Sequence, residues 1–228
     1  MEFAKQLVLD EAAVLGSFGY DGRTSTAEDE ARLKKAAALL QKAAAPRWVY
    51  RRIAVTPEFV LMPDGLQLSG GHIAAHLTGC EECLLLAVTL GAQVEREIRA
   101  AESTDMAFAV TLDSAASVLV EQYADEAEHC LREQAENTGE YVTGRFSPGY
   151  GDFPLQLQAS LLRCLNAQRA IGLTVSQSGI MLPGKSITAV LGVAGHPVKG
   201  KLAGCETCSM KERCNRKKGD TACAEHRC

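Results

Sequence analysis

Between Thr104 and Glu136 apolar residues recur at helical spacing over more than eight turns. Ala109, Leu112, Ala116, Leu119, Tyr123, Ala127 and Cys130 fall on one stripe. The spacing predicts a helix over 104–136 that buries one side. Asp113 lies on or beside the stripe, where a partly buried carboxylate is expected to hydrogen-bond a neighbouring strand. Gly139 ends the helical pattern.

The next segment carries the most chemistry in the chain: Arg145-Phe146-Ser147-Pro148-Gly149-Tyr150-Gly151-Asp152. Pro148 fixes its own φ, and Gly149 can take positive φ and let a ligand lie against bare backbone. Arg145 offers a planar fork for a carboxylate, and Tyr150 a ring face for a cation. Such a loop can grip a small zwitterion; S-P-G-Y-G-D is also an ordinary surface turn.

Around this pair, helices and strands mix. Residues 3–20 read as a helix with Phe3, Leu7, Val8, Val14, Leu15 and Phe18 near one face. Thr24-Ser25-Thr26 offers N-caps for a second helix to Ala45, closed by Pro46 and charged in the sense of its macrodipole. Trp48–Val55, Phe59–Met62, Leu66–Leu68 and His72–Leu77 read as an antiparallel meander broken by Pro57, Pro63-Asp64-Gly65 and Gly70-Gly71. Leu84–Leu90 is an apolar run of strand length, and Gly91 hands over to a helix through Ala101. Pro154–Ala170 reads as one helix with Leu155, Leu162 and Leu165 inward and Asp152 near its N-cap. Leu173–Val175 and Ile187–Val193 read as strands around the Met181-Leu182-Pro183-Gly184 turn. No βαβ rhythm is kept, so the fold class is α+β.

A chain of 228 residues with 46% hydrophobic and 23% charged residues is that of a soluble globular protein. No apolar run approaches the ~20 residues needed to span a bilayer. The N-terminus leads straight into an amphipathic pattern without a signal-peptide layout. Nine cysteines without a secretion signal point to a reducing cytoplasm and to metal or redox work. Charge marks a boundary near Gly195: from there to Cys228 eight Lys/Arg face four Asp/Glu, so a +4 tail balances a −8 remainder in a chain of net −4. No nucleic-acid-binding motif accompanies the tail. The expected division is 1–195 as the main domain and 196–228 as a basic, cysteine-rich tail.

Arg145–Tyr150 resembles the R-x-x-x-G-Y signature of the S-adenosylmethionine-binding activation domain of cobalamin-dependent methionine synthase. Ser176-Gln177-Ser178-Gly179-Ile180-Met181-Leu182-Pro183-Gly184-Lys185-Ser186 is similar to that family's T-E-S-x-x-M-x-P-x-x-S stretch. Asp10–Gly22 resembles the opening helix of short stand-alone members, and Leu84–Val94 their strand-then-helix segment with T-L-G. The resemblance spans residues 3–195 in separated patches.

It implies an activation-domain-like α+β fold of helices and antiparallel sheet that binds S-adenosylmethionine. Carried over residue by residue, its contacts fall on Arg145, Ser147, Gly149 and Tyr150, with a further contact at Leu191 and Gly192, where the usual aromatic side chains are absent. Ser147 stands where relatives can have alanine. No side chain reads as a nucleophile or general base. The resemblance implies why: reduced cobalamin is itself the nucleophile, so the protein need only aim the sulfonium methyl. The chain lacks the D-x-H-x-x-G pattern of cobalamin-binding modules, so the cobalamin would be carried by a partner.

The tail departs from the best-known form of the family. Cys205, Cys208, Cys214, Cys223 and Cys228 supply five thiols for a four-ligand site, either an iron–sulfur cluster or structural zinc, with free or disulfide thiols as the plain alternative. His76, Cys80 and Cys83 form a second ligand set, or a redox CxxC at a helix N-terminus, against a reading as buried structural cysteines.

The expected protein is a cytoplasmic stand-alone activation subunit, an accessory to methyltransferase activity, supporting reductive methylation of cob(II)alamin. Its expected partners are a cobalamin-binding methionine synthase and an electron donor such as flavodoxin or ferredoxin, with no nucleic acid and no membrane. The competing readings are a reactivation or electron-transfer accessory of another corrinoid methyltransferase, and a metal-stabilised binding protein without methyl transfer.

Overall fold

The computed structural model describes residues 1–4, 6–18 and 25–198. The five tail cysteines lie outside the described residues. Helices α1 (Glu11–Ser17) and α2 (Ala27–Ala43) precede strands β1 (Arg47–Val55), β2 (Val60–Met62) and β3 (Leu66–Gln67). Then come α3 (Gly71–His76), β4 (Glu82–Thr89), α4 (Ala92–Glu102), α5 (Met106–Glu136) and β5 (Tyr141–Val142). A 3-10 turn (Leu155–Leu157) leads into α6 (Gln158–Cys164), α7 (Ala167–Ile171), the hairpin strands β6 (Thr174–Val175) and β7 (Met181–Leu182), and β8 (Ser186–Ala194). Six strands form one sheet in the order β3-β2-β1-β4-β8-β5, and β6 pairs with β7. The β1–β2, β2–β3, β5–β8 and β6–β7 registers are antiparallel. The class is therefore α+β, with mixed helices and an antiparallel sheet, as expected.

The described residues divide into two compact units, one within Met1–Val49, Ala87–Ala127 and Asn166–Ile187, the other within Tyr50–Leu86, Glu128–Leu165 and 188–198. In the first, α2 opens with a capping box: the Thr26 hydroxyl accepts from the Asp29 amide, and the Asp29 carboxylate accepts from the Thr26 amide. Ala109, Leu112, Ala116, Leu119, Tyr123 and Ala127 of α5 are buried, which bears out the stripe except at Cys130, which is half-buried. Asp113 is instead exposed and pairs with Lys185 at 2.7 Å, so its expected partial burial is corrected.

The helix expected over 3–20 is also shorter. It begins only at Glu11, because the Asp10 carboxylate caps it by accepting from the Ala13 amide. Phe3 instead stacks beside Trp48 at 5.9 Å and against Tyr123 at 4.6 Å. The Leu7 amide donates to the Tyr123 hydroxyl at 3.0 Å. Tertiary partners thus engage Phe3 and Leu7 outside any helix.

In the second unit the β1–β2–β3 meander forms as read, but its expected fourth strand does not. His72–Leu77 falls on α3, whose first amides are held by a residue eighty positions away. The Asp152 carboxylate accepts from Gly71 N at 2.7 Å and from His72 N at 2.9 Å. Asp152 therefore caps α3 and not the helix that follows it. That following helix is not continuous either. Asn166, in the left-handed region at φ 50, separates α6 from α7, and Leu155 is exposed. Leu84, Leu85 and Leu86 of β4 are buried, each contributing about 2 kcal/mol by removal from water.

Candidate functional site

The loop 143–154 lies wholly in the second unit and is organised by four anchors. At its start, Thr143 N donates to Gly192 O at 3.0 Å. Three residues on, Phe146 and Val190 exchange both backbone hydrogen bonds at 2.9 Å as an antiparallel bridge. The tip is a tight turn: Tyr150 N donates to Ser147 O, Gly149 N to Phe153 O and Phe153 N to Tyr150 O. Gly149 sits at φ 94 and is exposed, a conformation that favours glycine and leaves bare backbone at the surface. At its end, Asp152 caps α3.

These anchors bring together the two stretches singled out in the sequence. Arg145, Ser147, Gly149 and Tyr150 lie on the loop, and Leu191 and Gly192 lie on β8, between the Phe146–Val190 bridge and the β5–β8 ladder. Their side chains are unequal in reach. Tyr150 is half-buried and packs edge-on to Phe146 at 5.9 Å. Leu191 and Gly192 are buried, and the Gly192 amide and carbonyl are both engaged by Thr143. Ser147 is half-buried, and its carbonyl is committed to the turn.

Arg145 is the most constrained. Its side chain is 7% exposed, and its Nε donates to Glu128 Oε2 at 3.1 Å. Glu128 Oε1 accepts from the Arg132 guanidinium at 2.8 Å, and Arg132 also donates to the carbonyls of Val142 and Thr143. The carboxylate thus orients the plane of the Arg145 fork by its Nε edge. Glu128 was legible only as an i,i+4 partner of Arg132 on α5; its hold on Arg145 was not.

Below the loop, His76 is fully buried and packs tilted against Phe146, ring centres 5.0 Å apart. Its Nε2 lies 2.8 Å from Thr143 Oγ1. His76 is therefore engaged with a hydroxyl, and no group of three His, Cys, Asp or Glu among the described residues can hold a metal. The second ligand set is corrected accordingly. Nor is the CxxC at a helix N-terminus: Cys83 is buried in β4, where burial pushes its thiol up to about 12. Burial raises Cys80 as well. Protonated thiols are poor nucleophiles, and the reading as a buried structural cysteine holds for Cys83, while Cys80 is half-buried.

His72 completes the loop's frame. Its Nδ1 accepts from Asp152 N at 3.3 Å, and a Cβ built on Gly151 would lie 2.0 Å from that nitrogen. Amide donation from His72, joined by that from Gly71, holds the Asp152 carboxyl below its ordinary range. Among the described residues, no helix is long and apolar enough to cross a membrane.

Arg145, Tyr150 and the exposed Gly149 backbone thus stand on one loop of the second unit of an α+β fold. Neither a protein-family model nor a curated protein matches the sequence. Among solved structures, the chain is similar to the crystal structure of the MetH reactivation domain bound to AdoHcy, with a TM-score of 0.59 at 18% identity, over 84% of this chain and 76% of that one. The chain has the fold of the MetH reactivation domain.

Proposed function

We propose that the chain binds S-adenosylmethionine and its product AdoHcy, and serves as a stand-alone activation subunit for a cobalamin-dependent methionine synthase. The observation that carries this reading is the joining of Arg145–Tyr150 to Leu191–Gly192 through the Phe146–Val190 bridge, on the fold of a domain whose crystal structure holds AdoHcy. The residues fit an amino-acid ligand. Arg145 presents a guanidinium oriented by Glu128 toward a carboxylate, Tyr150 a ring beside a sulfonium or sugar, and Gly149 a surface without a side chain. Ser147 would contribute through its backbone, and Leu191 and Gly192, both buried on β8, would support the loop from behind.

Bound S-adenosylmethionine would supply the methyl group, and a corrinoid on a partner protein, reduced by one electron, would accept it and leave AdoHcy. The chain's own part is to bind and orient. The 196–228 segment belongs to this reading as a basic module whose Cys205, Cys208, Cys214, Cys223 and Cys228 would hold an iron–sulfur cluster or zinc. Flavodoxin or ferredoxin would be the electron source.

Calorimetric titration with S-adenosylmethionine, run beside Arg145→Ala, tests the reading. Saturable binding that the variant loses supports it, and a cob(II)alamin methylation assay with the partner then tests the subunit role. Absence of binding both alone and with a cobalamin-loaded partner would discard it.

A further inference from the structure

The β5–β8 ladder changes register immediately before Arg145. Val142 pairs with Val193, yet Phe146 pairs with Val190, so four steps along one strand match three along the other. That is a β-bulge, one extra residue in the loop strand. In an unbroken ladder Arg145 would stand opposite Val190. The slip gives that place to Phe146, and a one-residue slip exchanges the two faces of a strand. Phe146 thereby turns onto His76, and Arg145 turns onto Glu128.

One side chain occupies the break. Gly192 N donates to Thr143 Oγ1 at 2.8 Å, where a regular ladder would offer it the Thr143 carbonyl. The freed carbonyl accepts instead from Arg132 at 3.2 Å. The same hydroxyl lies 2.8 Å from His76 Nε2 and 3.1 Å from the Gly144 carbonyl. With its own proton given to the Gly144 carbonyl, the hydroxyl accepts from Gly192 N and has one acceptor place left, which the His76 tautomer protonated at Nε2 fills.

We infer that Thr143 is a positioning residue for ligand binding. Its hydroxyl stands in for a ladder carbonyl, holds the bulge, and so fixes the face from which Arg145 meets the ligand. This rests on the proposed function, because the ligand is the one assigned there. Valine has threonine's shape without a hydroxyl, so in Thr143→Val the buried Gly192 amide loses its acceptor and the bulge its clamp. Serine keeps the oxygen.

The test measures two quantities on wild type, Thr143→Val and Thr143→Ser: hydrogen-exchange protection of the Gly192 and Phe146 amides, and AdoHcy affinity by calorimetry. In Thr143→Val, protection at both amides should fall and AdoHcy should bind about tenfold more weakly, the loss expected from one buried hydrogen bond. Thr143→Ser should restore both to within about twofold of wild type. A purely structural role would lower the melting temperature of both variants without this split. Unchanged protection in Thr143→Val, or equal loss of affinity in both variants, would overturn the inference. Wild type that keeps its protection pattern but binds no AdoHcy would remove the functional reading, and the positioning role with it, while the exchange data would still show whether the hydroxyl holds the bulge.

Discussion

Glu128 Oε2 and Arg145 Nε lie 3.1 Å apart, with side chains 5% and 7% exposed. The pair joins the far end of α5 to the loop that carries the R-x-x-x-G-Y pattern. A buried ion pair is weak evidence of net stabilisation, but removing one partner strands the other charge away from water. Glu128→Ala is expected to cost about 3–5 kcal/mol in urea unfolding. Glu128→Gln, which keeps an acceptor for Arg145 Nε, should cost clearly less. Equal losses in the two variants would show that the carboxylate serves packing and not the guanidinium.

The Asp152 cap on α3 gives a second expectation. Asp152→Ala leaves the Gly71 and His72 amides without their side-chain acceptor, and melting temperature should drop. Its folded-state carboxyl titrates below its ordinary value, so its contribution is present above the unfolded pKa and is lost as pH falls through the lowered one. Wild type and Asp152→Ala should therefore converge in acid. Melting temperatures that stay equally far apart at low and neutral pH would mean that the carboxylate's charge is not what matters.

Elements written by local pattern were legible in the sequence, and elements fixed by distant partners were not. The α5 stripe, the buried β4 run and the Thr26 cap each follow from neighbours within a few residues. His72–Leu77 alternates well enough for a strand, and only the Asp152 carboxylate, distant in sequence, makes it a helix. The loop was legible through its Pro-Gly turn and its Arg and Tyr. Its frame was not: Glu128, Thr143 and His76 meet it through a bulged register, and register is a pairing property that one strand's pattern does not carry. Asn166 at φ 50 breaks the expected 154–170 helix for a reason that propensity alone would not place.

Arg52 bridges Glu82 and Glu140, linking the β1, β4 and β5 ends within the second unit. Hydrogen bonding from Arg52, then from Thr138, holds the Glu140 carboxyl down to about 2 from its ordinary 4.5. A depressed folded pKa gives a contribution that is complete above the unfolded value and disappears as pH falls from about 4.5 toward 2. Arg52→Gln should lower stability on the neutral side, by little because exposed pairs are screened, flatten the acid limb over that window and converge with wild type below it. The check is urea unfolding at stepped pH in low and high salt. An acid limb as steep in the variant as in wild type would show that Arg52 does not set the Glu140 titration.

Gly192 is tightly packed within β8. A Cβ there would lie 2.5 Å from Cys80 Sγ and 3.1 Å from a Leu77 methyl, both in the same unit. Its backbone is not in the left-handed region, so the constraint is space and not conformation. Gly192→Ala should then act as overpacking, costing about 1–3 kcal/mol. If the sulfur is the obstacle, Cys80→Ala must relieve it, because it removes the atom that the new methyl would strike. The two substitutions are therefore expected to couple, with the double variant more stable than the sum of the singles by about 0.5–3 kcal/mol. Urea unfolding of the four proteins in the cycle measures this directly. Simple additivity would mean that β8 yields at Gly192 and that Cys80 is not its stop. Coupling without recovery of AdoHcy affinity would separate packing from recognition, because the methyl would then still disturb the β8 backbone that anchors Thr143 and the loop.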